Sequence, residues 1–339
     1  MHFPLRLRCD TSALSENYKR LSAIAGVPAG AAIKANGYGV GAVEVAHRLL
    51  DAGCRDFFVS SWPEAAELGF LPDESLSVLH GLGPDDEPIE GVRPVLCSTA
   101  QIADWKARGL ADRPCDVMVD TGMNRLGLAM TELSAIEGLR VHTLHSHLAC
   151  ADEEHPLNAL QLDRFRTLRN SVKAGRYSLA NSAGIFRGAD YSFDLVRPGL
   201  ALYGGIPRLE ARGVIRPVVA PQAQVIQTRT VRAGESVGYN ATFTAPRDLT
   251  AVIVNIGYAD GYWRAFSSLG HATYEEATLP VLGRVSMDLV TLDASAAGRL
   301  REGDWVALDF DLERAAGLTG FSQYELLTGL GRRLARSWT

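Results

Sequence analysis

The sequence predicts an α/β fold, a (β/α)8 TIM-like barrel followed by a mainly β C-terminal domain. Three observations carry that prediction. Apolar runs of strand length alternate eight times with stretches of helical spacing over the first two thirds of the chain, as a parallel barrel requires. The remaining third changes texture, to short apolar runs separated by Gly, Asp and Pro. A length of 339 residues fits a large barrel with a smaller partner.

Taken in order, the runs of the first part are 31–35, 56–60, 76–80, 94–98, 116–120, 142–148, 177–181 and 193–196. Between them lie amphipathic stretches. Val43, Ala46 and Leu50 form one expected helix face, and Leu162, Phe165, Leu168 and Val172 another. An open doubly wound sheet would favour a G-x-G-x-x-G turn after the first strand, and none stands there. The later runs are 223–229, 249–256, 278–282, 289–292 and 305–308, with helical periodicity returning at 324–333. The expected domains are therefore 1–222 and 223–339, with the first eight residues open to packing against the second domain.

Composition narrows the function classes. Apolar residues make up 47% and charged residues 22%, the balance of a globular chain with a sizeable core. A net charge of −5 argues against nucleic-acid or anionic-membrane partners, which need a basic excess. The five cysteines include no C-x-x-C pair, so neither a zinc site nor a disulfide framework is expected. The opening residues 1–6 hold too little apolar character for a signal sequence, and no apolar run reaches membrane-spanning length. The cytoplasm is the expected compartment.

Chemistry concentrates at the ends of the apolar runs, where a parallel barrel places its active site. Lys34 ends the first run, and a lysine in apolar surroundings must be paired, neutral or covalently used. A desolvated amine can form a Schiff base with a carbonyl cofactor, whereas a snorkelling surface lysine is the ordinary alternative. Gly199 can expose backbone amides to a phosphate, and Asn181-Ser182 can add a hydroxyl. Arg125 follows the fifth run, where its fork could hold a carboxylate or phenolate. His145 and His147 share a strand face but lack further ligands nearby, so no metal is expected. Tyr239, Tyr258 and Met287 lie in Gly-containing turns of the second domain, where packing roles are the ordinary reading.

Taken together, these segments resemble the alanine racemases. The resemblance rests on AIKANGYG at 32–39, DTGMNRLG at 120–127, ANSA at 180–183 and VRPG at 196–199. It continues with GYADG at 257–261, GRVSMD at 283–288 and YELLT at 324–328, all in the family's order. It implies pyridoxal 5'-phosphate (PLP) as cofactor, a small amino-acid substrate, D-alanine supply for peptidoglycan, and a head-to-tail homodimer with shared active sites. It implies Lys34 as the lysine that carries PLP and as one catalytic base, with Tyr239 as the opposing base from the partner chain. Arg197 would face the pyridine nitrogen with His147 supporting it. Tyr38, Asn181, Ser182, Gly199, Leu200 and Tyr324 would hold the cofactor, most of them through its phosphate. Arg125 and Met287 would place the substrate carboxylate, and Tyr258 would narrow the entrance.

Two departures from the family pattern stand out. Many members carry a lysine, often carbamylated, seven residues before the substrate arginine; here that position is Met118. The stretch from Asp288 to Tyr324 is also short for the family. A racemase of broader specificity, acting on serine, and a related PLP decarboxylase are the neighbouring alternatives. A non-catalytic PLP-binding protein would leave the second domain without a purpose.

Overall fold

The computed structural model describes residues 4–339. Of the opening segment read above for targeting, residues 1–3 lie outside the described residues. The chain divides into two compact units, one of residues 14–216 and one of residues 4–13 with 217–339.

In chain order, strand β1 (Leu5–Cys9) belongs to the second unit and the next seven strands to the first. These are β2 (Ala31–Ala32), β3 (Phe57–Val59), β4 (Leu76–Val78), β5 (Val92–Leu96), β6 (Cys115–Met118), β7 (Val141–His145) and β8 (Arg176–Ser178), parallel and in sequential order. Residues 195–198 take the eighth place. Val196 bridges Ala29 and Arg197 bridges Asn181, both parallel. The amides of Gly30 and Ala32 donate to the carbonyls of Val196 and Pro198 at 2.8 and 2.9 Å, which closes the ring. The eight expected runs thus form a barrel, though the first and last shrink to a pair of residues each. The barrel strands are buried on both faces, which is why they read as continuous apolar runs.

Two details correct the sequence reading. The first run stops being a strand at Ala32; Ala35, Asn36, Gly37 and Tyr38 have φ of 52°, 53°, 59° and 54°, a left-handed turn that no apolar pattern announces. The helix Ala42–Asp51 forms, but it buries Ala42, Val45, Ala46 and Leu49 and leaves Val43 exposed. Two overlapping rows of i, i+4 spacing run along this segment, and the row containing Val45 and Leu49 is the one that meets the barrel unit's core. Helix Pro156–Ser171 buries Leu162, Phe165 and Leu168 as expected.

Charged residues also lie inside the barrel near the strand starts, where the apolar runs suggested only packing. Arg176 holds Asp56 through two contacts of 3.0 and 2.5 Å. Arg93, 1% exposed, places Nε 3.3 Å from Asp116 Oδ1 and Nη2 3.7 Å from Asp56 Oδ1. Ser77 Oγ donates to Asp116 Oδ2 at 2.6 Å. Such charges persist in an interior only when they are paired in this way.

In the second unit, the long strand β9 (Val219–Val231) is the hub. It is followed by β10 (Ser236–Val237), β11 (Phe243–Thr244), β12 (Leu249–Val254), β13 (His271–Tyr274), β14 (Ala277–Pro280), β15 (Val290–Asp293), β16 (Trp305–Leu308) and β17 (Ala335–Trp338). Strand β9 pairs antiparallel with β1 and β16 along its first half and with β12 along its second. Strand β1 also pairs in parallel with β17. Ala223, Val225, Ala251, Val252, Leu292 and Val306 make the core of this mainly β unit. The expected helical stretch 324–333 stops at Thr328. A second helix, Leu312–Thr319, was missed by periodicity, although Asp311 at its N-cap and Gly320 at its end mark it. Among the described residues, no helix is long and apolar enough to cross a membrane.

Candidate active site

Within the barrel unit, the expected site residues gather on the loops that follow the strands. Lys34 opens the left-handed turn after β2 and is half-buried. Burial lowers its proton affinity, the Arg125 charge lowers it further, and Glu64 opposes the change. Such an amine is neutral more often than a surface lysine, which suits a nucleophile or base.

Tyr38 closes the same turn and is buried. Its ring stacks on Tyr203 with centroids 4.8 Å apart and planes 24° apart, and Tyr203 Oη donates to the Ala32 carbonyl at 3.0 Å. The Tyr38 hydroxyl reaches the loop after the eighth strand, where a Cβ on Gly199 would overlap it; only glycine fits there. From the loop after β8, Ser182 Oγ accepts the amides of Gly199 at 3.0 Å and Ala201 at 3.2 Å. Leu200 lies between those amides and is buried. Asn181 uses its side chain to cap the short helix Ser182–Ile185 through the Gly184 amide at 2.9 Å, so it holds the loop in shape.

Arg197, on the closing segment, is buried. It donates from Nη1 to Ser178 Oγ at 2.5 Å and from Nη2 to the Ser146 carbonyl at 2.6 Å. Burial lowers it to about 10 while the Asp116 charge opposes the shift, so it remains a cation at neutral pH. Two residues beyond β7, His147 is driven by burial to about 3, with Arg197, Arg125 and Lys34 adding repulsion. It is therefore a neutral ring. His145, fully buried, is pushed by burial to about 4 even though Asp116 lies 3.3 Å from its Nε2. Burial alone would raise the Asp116 carboxyl, but Arg93 and the two histidines His142 and His145 hold it well below the usual carboxylate range.

Arg125 is exposed after β6, and its guanidinium has no ion-pair or hydrogen-bond partner among the described residues. The Met118 side chain, at the family's lysine position, packs in an apolar cluster with Val95, Cys97 and Leu79. Nothing in that cluster could hold a carbamate. The free guanidinium of Arg125 is left to an incoming anion.

The second unit supplies the remaining expected residues on turns. Tyr239 starts the turn Tyr239–Ala241 and is 68% exposed. The segment before it leans on residues 283–284, because a Cβ on Gly283 would sit 2.7 Å from the Val237 carbonyl. Tyr258 is half-buried under the Arg264 guanidinium, 5.1 Å from its ring centroid. Its amide and that of Ala259 donate to the carbonyls of Ser286 and Met287, at 3.1 Å each. The two motifs 257–261 and 283–288 are thereby one structure. Arg333 joins them to the C-terminal segment by binding Asp260 at 2.7 and 2.9 Å and Asp288 at 2.7 Å. Met287 is 53% exposed and Tyr324 44% exposed.

The donor set of the barrel unit fits a phosphorylated, aromatic carbonyl cofactor. It holds an amine of lowered proton affinity, a cradle of amides and hydroxyls around Gly199, and a buried guanidinium flanked by a neutral imidazole. Among the described residues, no group of acids, cysteines and histidines is arranged to hold a metal ion. The motif reading missed Glu64, which touches the Lys34 turn. Its only sequence signal is the spacing Ser61-x-x-Glu64, which marks a helix start and nothing more.

Comparison with known proteins adds three findings. The family model described as alanine racemase, N-terminal domain, matches residues 9–207, and that for the C-terminal domain matches 218–338. The chain is 43% identical to a protein of Mesorhizobium japonicum named "Alanine racemase, catabolic", over 98% of this chain and 92% of that one. It is 37% identical to "Alanine racemase, biosynthetic" of Agrobacterium fabrum, over 99% and 94%. Among solved structures, the alanine racemase of Bartonella henselae with covalently bound pyridoxal phosphate is similar at a TM-score of 0.91 and 35% identity, covering 99% of each chain. The biosynthetic alanine racemase of Pseudomonas aeruginosa is similar at 0.87 and 34%, covering all of both.

Proposed function

The chain belongs to the alanine racemase family, and on that premise we propose that it interconverts L- and D-alanine with PLP as cofactor. The observation that supports this most is Lys34, an amine of lowered proton affinity whose turn carries Tyr38 to the Gly199 loop, where Ser182 gathers the backbone amides. When bound, PLP supplies a carbonyl that condenses with amines and an electron sink for the pair left behind at the substrate Cα.

The chain's own residues do the rest. Lys34 Nζ would hold the cofactor, and the same amine moves a proton at one face of Cα. Tyr239 Oη, supplied by the partner chain of a head-to-tail homodimer, moves a proton at the opposite face. Two bases are needed because inversion removes a proton from one side and returns it on the other. The Gly199 and Leu200 backbone, with Ser182, Tyr38 and Tyr324, would hold the phosphate. Arg197 stays protonated, with His147 as its neutral neighbour, and would face the pyridine nitrogen and disfavour a proton there. Arg125 and Met287 receive the substrate carboxylate, and Tyr258 narrows the entrance.

The test is circular dichroism of L-alanine, and separately L-serine, incubated with the purified protein and PLP, followed by borohydride reduction and peptide mapping. Decay of the L-alanine signal to zero with PLP fixed on Lys34 supports the reading. A PLP chromophore without racemisation defeats it, and a faster loss of L-serine would shift the substrate assignment. We assign the product to peptidoglycan supply in the cytoplasm. The relative named catabolic favours a second use, in breakdown, and deletion separates the two: a D-alanine requirement for growth supports supply.

A further inference from the structure

Glu64 lies on the short helix Trp62–Ala66 after β3, outside every motif used above, yet it reaches the Lys34 turn. One carboxylate oxygen, Oε2, accepts the amides of Ser60 at 2.7 Å and Ser61 at 3.3 Å, which is ordinary support for the start of its own helix. The other, Oε1, accepts the amide of Ala35 at 2.7 Å, twenty-nine residues away in sequence. That amide opens the run of four left-handed residues that begins directly after Lys34. Three of the four carry a side chain, and each such residue resists this conformation by about 1–2 kcal/mol, so the turn must be held from outside.

We propose that Glu64 is a positioning residue for Lys34, tying the strained turn after β2 to the loop after β3 and keeping a negative charge beside the lysine amine. This rests on the assignment of Lys34 as the cofactor lysine and deepens it. The titratable groups around Lys34 come from three elements: the charged Glu64 after β3 and Arg125 after β6, and the neutral His147 after β7. Glu64 is the one among them that raises the proton affinity of Lys34, against burial and Arg125. It therefore balances two needs: an amine neutral enough to attack a carbonyl, and basic enough to take a proton.

The experiment measures Lys34 itself, in full-length apoenzyme freed of PLP with hydroxylamine. Trace acetic anhydride acylates only neutral amines, and the chain has four lysines, of which Lys19 and Lys173 are exposed internal references. In Glu64→Gln the Lys34 titration moves further down, so labelling near neutral pH rises at least about twofold relative to the references. Glu64→Asp keeps the charge and stays near the wild-type rate, while its shorter side chain cannot bridge both loops, so the Ala35 amide loses protection from hydrogen exchange. Ser98→Ala removes a different helix cap, the Oγ that accepts the Gln101 amide, and lowers stability without moving Lys34. Labelling of Glu64→Gln at or below the wild-type rate overturns the proposal, as does an equal change in Ser98→Ala. If Glu64→Gln fails to fold, unchanged protection of Ala35 in Glu64→Asp overturns it instead. Borohydride fixation of PLP away from Lys34 would defeat the underlying assignment, and the labelling result would still judge Glu64 alone.

Discussion

The candidate residues of the barrel unit and those of the β unit are held in opposite ways. In the barrel unit, Arg197, Ser182 and Tyr38 are buried and fixed by backbone amides, carbonyls or stacked rings, and Lys34 and His147 are half-buried. In the β unit, Tyr239 and Met287 stand exposed on turns and Tyr324 on the helix Gln323–Thr328. Burial shifts proton affinities and holds a cofactor; exposure leaves a side chain free to complete another surface. The contrast is the one that the proposed sharing of sites between partner subunits requires, with one set of residues tuned by burial and the other left accessible.

Several substitutions would sharpen or break that contrast. The largest effects belong to the two bases. Lys34→Ala removes both attachment and proton transfer and should cost more than the 10²- to 10⁴-fold or so of a lost acid–base group. Tyr239→Phe should cost about 10²- to 10⁴-fold in racemisation while its unfolding free energy stays within roughly 0.5 kcal/mol of wild type, because the residue is exposed. A large loss of stability in Tyr239→Phe would break the comparison. Next comes Arg197→Leu, which strands the Ser146 carbonyl and leaves Ser178 Oγ only its bond to the Leu195 carbonyl, and should destabilise by about 1–3 kcal/mol in denaturant titration. Met287→Ala, made in parallel, should stay within about 0.5 kcal/mol.

The smallest effect is in acid. His145 and His147 are lowered from 6.5 to about 4 and about 3, so the unfolded chain binds protons that the folded chain refuses. Their contribution to stability is complete above pH 6.5 and is lost as the pH falls through 4 and then 3. Both lie in the barrel unit, so hydrogen exchange should find its strands loosening first as the pH drops. Simultaneous loosening of β12 and β15 would count against that order.

Much of this was legible in the sequence, and unevenly so. The apolar runs of the barrel could be read because parallel strands are buried on both faces, and the long alternation of strand and helix admits few topologies. The family motifs contain Lys34, Tyr38, Ser182, Arg197 and Gly199 as candidates. What stayed hidden depends on contacts between distant residues. The left-handed turn at Ala35–Tyr38 has one glycine among four residues and needs Glu64 from another loop. The ion pairs of Asp56, Arg93, Asp116 and Arg176 form at the strand starts, where Asp56 and Asp116 open apolar runs and Arg93 and Arg176 stand one residue before theirs, and a single charge there does not show its partner. Met118 was visible as a departure, but not the apolar cluster that fills its surroundings.

The two-halves account is tested most directly by mixing subunits that each lack one base, Lys34→Ala with Tyr239→Phe, and verifying that heterodimers form. Each heterodimer would then contain one intact site, so racemisation should recover to about a quarter of wild type after random reassortment. If verified heterodimers remain as inactive as their parents, Lys34 and Tyr239 do not meet across a subunit boundary, and the account fails.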